Sequence, residues 1–353
     1  MTETDRDTNT GSTGQLGLER RSFDRYYLNY HRGVIDDIDR METLFHLGNE
    51  AIERRSMGVT RCVARVLMDQ STLADSMSHP HISQVLEAAV PTWFLTGTSE
   101  PIWMVLGAIN SPARQSIHSM PEIVASVDST KRSPRFAPVD RVARLREEGF
   151  VFTSEVASPR IGEVLSLWGD SFDWNEDGVT GLQEVLRMQS KIPALERRVW
   201  FSGLIDHHSN RLVSIATAER LDMPIGDGRS IPIIESTEWR RHESVNRHGL
   251  MAATVSHLHA HVLDDIEPCA PLIIAETNFW SGAHNVGFAT GMDVAPRHIG
   301  EGFVPQTLVQ NVRVRDGLEP VGNRDFTMLY LTPQSQNIYF TPVMRAEILG
   351  RSI

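Results

Sequence analysis

The strongest constraint on the fold is an alternation of two hydrophobic periods after about residue 148. "GFVFTSEV" reads as a strand. "RIGEVLSLWGDSF" reads as a helix, with Ile161, Val164, Leu165, Leu167 and Trp168 apolar. An acidic turn follows, then a second helix, "GLQEVLRMQSKI". "RRVWFSGLIDHHSNRLVSIATAERL" is a hairpin whose polar turn contains His207 and His208. "SIPIIESTEW" is a strand, "HGLMAATVSHLHAHVLDDI" a helix and "APLIIAETN" a strand. "NVGFATGM" reads as a short helix, and "TLVQNVRV" and "DFTMLYLT" as late strands. The order β-α-α-β-β-β-α-β-α-β-β implies an α/β domain, a mixed twisted sheet with flanking helices, over residues 148–353.

The preceding segments read differently. Residues 1–22 are polar, without apolar periodicity, and are expected to form a disordered tail. Residues 23–130 are expected to form a mainly helical domain: Ile35, Ile38, Met41, Leu44, Phe45, Leu47 and Ile52 recur at helical spacing. "ISQVLEAAV" reads as a further helix, whereas "PIWMVLGAI" fits a buried strand or a buried helix equally. No chemical motif marks this region. Residues 131–147, with a basic, proline-containing start, read as a linker.

Bulk properties narrow the function. The net charge of −11 over 353 residues disfavours a general binder of phosphate backbones. Cys62 and Cys269 make no disulfide framework, which points to a reducing cytoplasm. The polar start is not a targeting peptide, and no apolar run reaches the roughly 18 residues that span a bilayer.

Two metal patterns compete for attention. "DWNEDGVTGLQE" (173–184) matches D-x-[DN]-x-[DN]-G-x5-E, with Asp173, Asn175, Asp177, Gly178 and Glu184 at the loop positions of a calcium site. Against it, position eight is Thr180 rather than an aliphatic residue, and the chain has no second such loop. Thr180 also suits the N-cap of the following helix. His257 and His261 share a helix face, but no cysteine pair or H-E-x-x-H supplies the remaining zinc ligands. No metal is expected.

The element order, the loop "NRHGLM" (246–251) and the stretches "AHNVGFATGM", "EGFVPQTLVQNVRV" and "RDFTMLYL" together resemble the GCN5-related N-acetyltransferase (GNAT) superfamily over about residues 148–333. Asn285, Gly302–Phe303, Leu308, Asn311, Asp325 and Met328 are similar to features of its β-lysine N-acetyltransferase-like branch. The resemblance implies an acyltransferase that binds acyl-CoA where the fourth and fifth strands splay apart. It places the pyrophosphate at Asn246, Arg247, His248, Gly249, Leu250, Met251 and Ala252, where helix-terminal N–H groups and the helix dipole favour an anion. Of the family pattern Q/R-x-x-G-x-G/A only Gly249 is kept; Met251 stands where a small residue permits close backbone approach.

The implied reaction is attack of a deprotonated amine on a thioester carbonyl. Glu238 is the expected base, with Glu235 on the opposite strand face. Phe288 stands where many members carry a tyrosine that protonates the leaving thiolate, so His284 and Asn285 are its expected substitutes. Asp173, Glu176, Asp177 and Glu235 are expected to face a cationic acceptor. The expected enzyme is a cytoplasmic N-acetyltransferase using acetyl-CoA or another acyl-CoA and a small, amino-acid-like amine, with a homodimer among the expected assemblies. The alternatives are a carrier-protein thioester or aminoacyl-tRNA as donor, or a degenerate GNAT-like binding module.

Overall fold

The protein was analysed as a computed structural model. It describes residues 16–22, 25–30, 33–53, 61–92, 102–110, 137–155, 160–168, 198–226, 228–242, 245, 249–267, 271–278, 286–287, 289–294, 307–313, 320–331 and 333–351. The chain forms two compact units. The first comprises Met1–Gln115, Met223–Ile231 and Pro296–Val304, the second Ser116–Asp222, Pro232–Ala295 and Pro305–Ile353.

The first unit is built on a six-stranded sheet. β1 (Leu16–Ser22) and β2 (Arg25–Tyr30) form an antiparallel pair. A short β3 (Val34–Ile35) precedes helix α1 (Ile38–Glu53), which leads to β4 (Arg61–Asp69). Helix α2 (Gln70–Ser78) and the 3₁₀ turn Ile82–Gln84 connect to β5 (Leu86–Pro91) and β6 (Ile102–Asn110). The sheet order is β1-β2-β4-β6-β5, with β3 beside β4. Met41, Leu44, Ala51 and Ile52 of α1 pack on Cys62, Val66 and Met68 of β4. Asp69 starts α2 by accepting the Thr72 N–H at 2.7 Å, an N-cap that ends the strand and begins the helix.

Three expectations are corrected here. Leu16–Ser22 is a strand of the sheet rather than disordered tail. The described part of 23–130 is mixed rather than mainly helical: "PIWMVLGAI" resolves to strand β6 from Ile102, and "ISQVLEAAV" to a 3₁₀ turn and strand β5. On β4 both Cys62 and Val63, and both Val66 and Leu67, are buried, so strict alternation is lost when a strand is covered on both faces. The last ten residues of the expected linker form helix α3 (Pro138–Glu147), with Pro138 in the first turn, where its missing N–H costs nothing.

The second unit carries an eight-stranded sheet, ordered β12-β14-β11-β10-β9-β8-β7, with β13 beside β14. Its elements are α3, β7 (Phe150–Thr153), α4 (Ile161–Trp168), β8 (Val199–Asp206), β9 (Arg211–Gly226), β10 (Arg229–Arg241), α5 (Leu250–Asp265), β11 (Leu272–Asn278), β12 (Asp293–Val294), β13 (Thr307–Arg313), β14 (Pro320–Leu331), α6 (Pro333–Tyr339) and α7 (Pro342–Leu349). This mixed α/β sheet with flanking helices agrees with the expected fold class. Helix α5 is buried on nearly all sides, with Leu250, Ala253, Leu258 and Val262 inaccessible. Truncating Leu258 to alanine should therefore cost about 2–5 kcal/mol. Val164 of α4 packs with Phe201, Leu212 and Ile215 in a separate cluster.

The five strands β9-β10-β11-β14-β13 repeat the plan of β1-β2-β4-β6-β5. Each set begins with neighbouring strands joined in sequence. A helix then crosses to a parallel neighbour, β2 to β4 and β10 to β11. In each, the last strand inserts antiparallel between that neighbour and the strand before it.

Candidate active site

The second unit holds a gap between two parallel strands. Pairing of β10 with β11 covers Ile233↔Leu272, Ile234↔Ile273 and Glu235↔Ile274. Beyond these rungs β10 continues to Arg241 beside β9, while Ala275–Asn278 of β11 pair with β14. Among the described residues no strand enters the space between them. The chain leaving β10 stays on the β9 side: His242 N–H donates to Val213 C=O at 2.8 Å, and Val245 N–H to His242 C=O at 3.1 Å.

The wedge leads towards the start of α5. Gly249 is the N-cap, at φ +91°, and no side chain caps this end. The N–H groups of Leu250, Met251 and Ala252 therefore have no intrahelical acceptor, and the first turn contains no acidic residue. A Cβ at position 249 would lie 3.2 Å from Arg141 Cδ and 3.5 Å from Arg144 Nη2. Two arginines of α3 thus flank the positive end of α5. Arg141 Nη1 donates to Ala289 C=O at 3.0 Å. Burial, and then the neighbouring Arg144, lower its pKa below the usual guanidinium value. This local positive field suits an anion, against the negative charge of the whole chain.

Met251 does not stand over the helix end. Ser214 Oγ contacts its sulfur at 3.7 Å, and the side chain packs on the central core. Leu250 and Ala252 are buried.

Beside the wedge, Ser236 is the first β10 residue beyond the paired rungs. Trp239 Nε1–H donates to Ser236 Oγ at 3.0 Å, and Ser236 Oγ lies 3.1 Å from His259 Nε2. Trp239 also reaches towards Gly287, where a Cβ would lie 3.5 Å from its Cη2 and would strike Leu329. Ser202 Oγ, two strands away, lies 2.9 Å from His257 Nδ1, whose ring stacks on Phe152 at 5.0 Å. Burial pushes both His257 and His259 down to a pKa of about 3, so both are neutral near pH 7. His261 Nε2 lies 3.4 Å from Asp265 Oδ2, which also accepts Trp200 Nε1–H at 2.9 Å. All three histidines are buried; among the described residues no group of three or more His, Cys, Asp or Glu is placed to hold a metal ion.

Glu235 is half-buried on β10. Ile234 belongs to the core and Ser236 meets α5, so alternation puts Glu235 on the other sheet face. Glu238 lies on the unpaired stretch of β10, its side chain outside the described residues. Asp173, Glu176 and Asp177, with the whole 173–184 loop, lie outside the described residues, as do Asn246, Arg247, His248, His284, Asn285 and Phe288. The turn at 206–208 is exposed: Ser209 Oγ–H donates to Asp206 Oδ2 at 2.7 Å, and that bond leads the causes that lower the carboxyl's pKa.

Arg141, Arg144, Ser236 and Trp239 were not among the residues singled out in the sequence. Arg141 and Arg144 stand at i,i+3, a helical-face spacing that the linker reading of 131–147 concealed.

No protein-family model matches the sequence, and no curated protein matches it significantly. The structure is similar to solved GNAT acetyltransferases over about half of its length. Arabidopsis thaliana NAA60 in complex with acetyl-CoA is 9% identical, with a TM-score of 0.38, over 52% of this chain and 99% of that one. The putative acetyltransferase yncA of Salmonella typhimurium, solved with acetyl-CoA, is 12% identical with a TM-score of 0.33, over 52% of this chain and 93% of that one. The PaiA N-acetyltransferase of Thermoplasma acidophilum, in complex with coenzyme A, is 11% identical with a TM-score of 0.29, over 51% and 97%.

Proposed function

We propose that the second unit is a GNAT-type N-acyltransferase that moves an acyl group, acetyl first, from CoA to the amine of a small amino-acid-like molecule. The observation that carries this reading is the parallel pair β10/β11, which opens after Glu235 towards the uncapped end of α5. The open edges of two strands offer N–H and C=O groups to an extended, amide-bearing arm. The helix end and Arg144 offer donors and positive charge to its phosphates. The donor supplies an activated thioester.

In this reading the loop Asn246–Ala252 holds the pyrophosphate, with Arg141 as a buttress. Glu238 takes the proton from the attacking ammonium, with Glu235 as the alternative base. His284 and Asn285 are the groups assigned to the departing thiolate in place of a tyrosine. Asp173, Glu176 and Asp177 draw the cationic acceptor towards the site. The branch with β-lysine acetyltransferases and the cytoplasmic setting belong to this same reading. The negative net charge of −11 favours a small acceptor over nucleic acid.

Calorimetric titration of the full chain with acetyl-CoA tests the donor. Free-thiol release over a panel of amines then tests turnover. The reading expects both signals, and a Glu238→Gln variant should bind the donor normally yet lose at least tenfold in rate. Donor binding without turnover on any amine would favour the binding module; no binding at millimolar acetyl-CoA would end the CoA proposal.

A further inference from the structure

Residues 1–130 carry no motif, yet the first unit repeats the five-strand plan of the proposed donor-binding half. The two copies differ where a donor would enter. In the first, β2 pairs with β4 from Arg25↔Arg61 to Leu28↔Ala64 and then leaves it. The vacated edge of β4 does not stay open: β3 occupies it in parallel, with Val34↔Leu67 and Ile35↔Met68. Ile35 is fully buried there. Gly33, at φ +98°, makes the entry possible, since a Cβ there would lie 3.0 Å from the backbone N of Gly226, in the β9–β10 tip (Met223–Ile231) that belongs to the first unit.

The helix end is also served by the chain. Asp37 Oδ1 accepts the Asp39 N–H of α1 at 2.9 Å, as an N-cap does. Asp36 and Asp39 add negative charge, and Arg40 is turned back onto Asp36 at 2.6 Å. At the matching end of α5 there is no side-chain cap, no acidic residue in the first turn, and two arginines instead.

We propose that the first unit is a self-occupied copy of the donor-binding half. β3 takes the place of an extended donor arm between the parallel strands, and the Asp37 carboxylate takes the place of its phosphates. The chain therefore binds one acyl donor, in the second unit alone. This rests on the reading of the second unit as the CoA site. A second donor in the first unit would have to displace two backbone-paired residues and approach three aspartates.

Hydrogen exchange of the full chain, with and without saturating acetyl-CoA, tests the proposal alongside calorimetric stoichiometry. The expected result is one donor per chain, with added protection in peptides covering 236–254 and 275–278 and none in those covering 31–40 and 65–69. An Asp37→Asn variant should keep the donor Kd within twofold. Two donors per chain, or donor-induced protection at 31–40, would overturn the proposal while leaving the CoA reading intact. No donor bound at all would overturn the CoA reading, and this proposal with it.

Discussion

Helices α1 and α5 are each 16 residues long, and each carries the chain to a parallel strand, yet opposite charges stand beside their first turns. α1 begins among Asp36, Asp37 and Asp39, one of which already caps it. α5 begins at a left-handed glycine with Arg141 and Arg144 alongside. β2 is followed by β3, which fills the next stretch of β4; β10 is followed by His242, which stays with β9. Shared topology therefore does not carry a shared site. The site depends on what is left unpaired, and among the described residues only the second copy leaves its parallel strands apart before an uncapped helix end.

Acid should break the comparison most strongly. His257 and His259 sit near pKa 3 in the folded second unit against about 6.5 when unfolded. Below pH 6.5 the unfolded chain binds more protons, so stability falls as pH drops from about 6.5 towards 3 and is flat with respect to these groups above 6.5. The loss approaches about 1.4 kcal/mol per pH unit for each histidine. Denaturant unfolding at pH 7 and pH 5, followed by hydrogen exchange, should show the second unit losing protection first; equal losses in both would contradict this.

Gly249→Ala comes next. The left-handed φ and the approach of Arg141 should cost about 1–3 kcal/mol of stability and weaken donor binding at least tenfold. Gly33→Ala meets the same backbone penalty at φ +98° but should lower Tm without changing the donor Kd. Matching effects of the two variants on Kd would erase the distinction between the copies. Arg144→Ala should raise the donor Kd about three- to tenfold and flatten its salt dependence, read by titration at two ionic strengths. Smallest is Asp37→Asn: asparagine still caps, so only the charge–dipole part, about 0.3–1 kcal/mol, should be lost from thermal stability.

Much of the second unit was legible in the sequence. β8 and β9 are apolar runs on either side of a polar turn, and α5 is set off by a glycine between two apolar strands. The first unit was not, because β4 and β6 are buried on both faces and carry no period to read. Gly249 is the one residue of the resembled loop pattern that the chain keeps, and its left-handed φ gives a physical reason for a glycine there. For Met251, sequence does not show that the side chain turns onto Ser214. The spacing of the α5 histidines gives their faces but not their partners, because a helix covered all round has a partner on every face: Ser202 for His257, Ser236 for His259 and Asp265 for His261.

The position of β14 bears on how the protein is made. Ile273 of β11 pairs with Leu331, nearly sixty positions later, and among the described residues β13 has only β14 as a neighbour. During synthesis the inner edge of β11 must wait, unpaired, until the chain beyond residue 320 has left the ribosome. In the first unit the corresponding strand, β6, ends at Asn110, so its central pairing can close more than two hundred residues sooner. A nascent chain halted before residue 320 would expose an apolar strand, Leu272–Ala275, with no partner on that side. Such chains should be captured by chaperones or aggregate, whereas those halted after residue 331 should not.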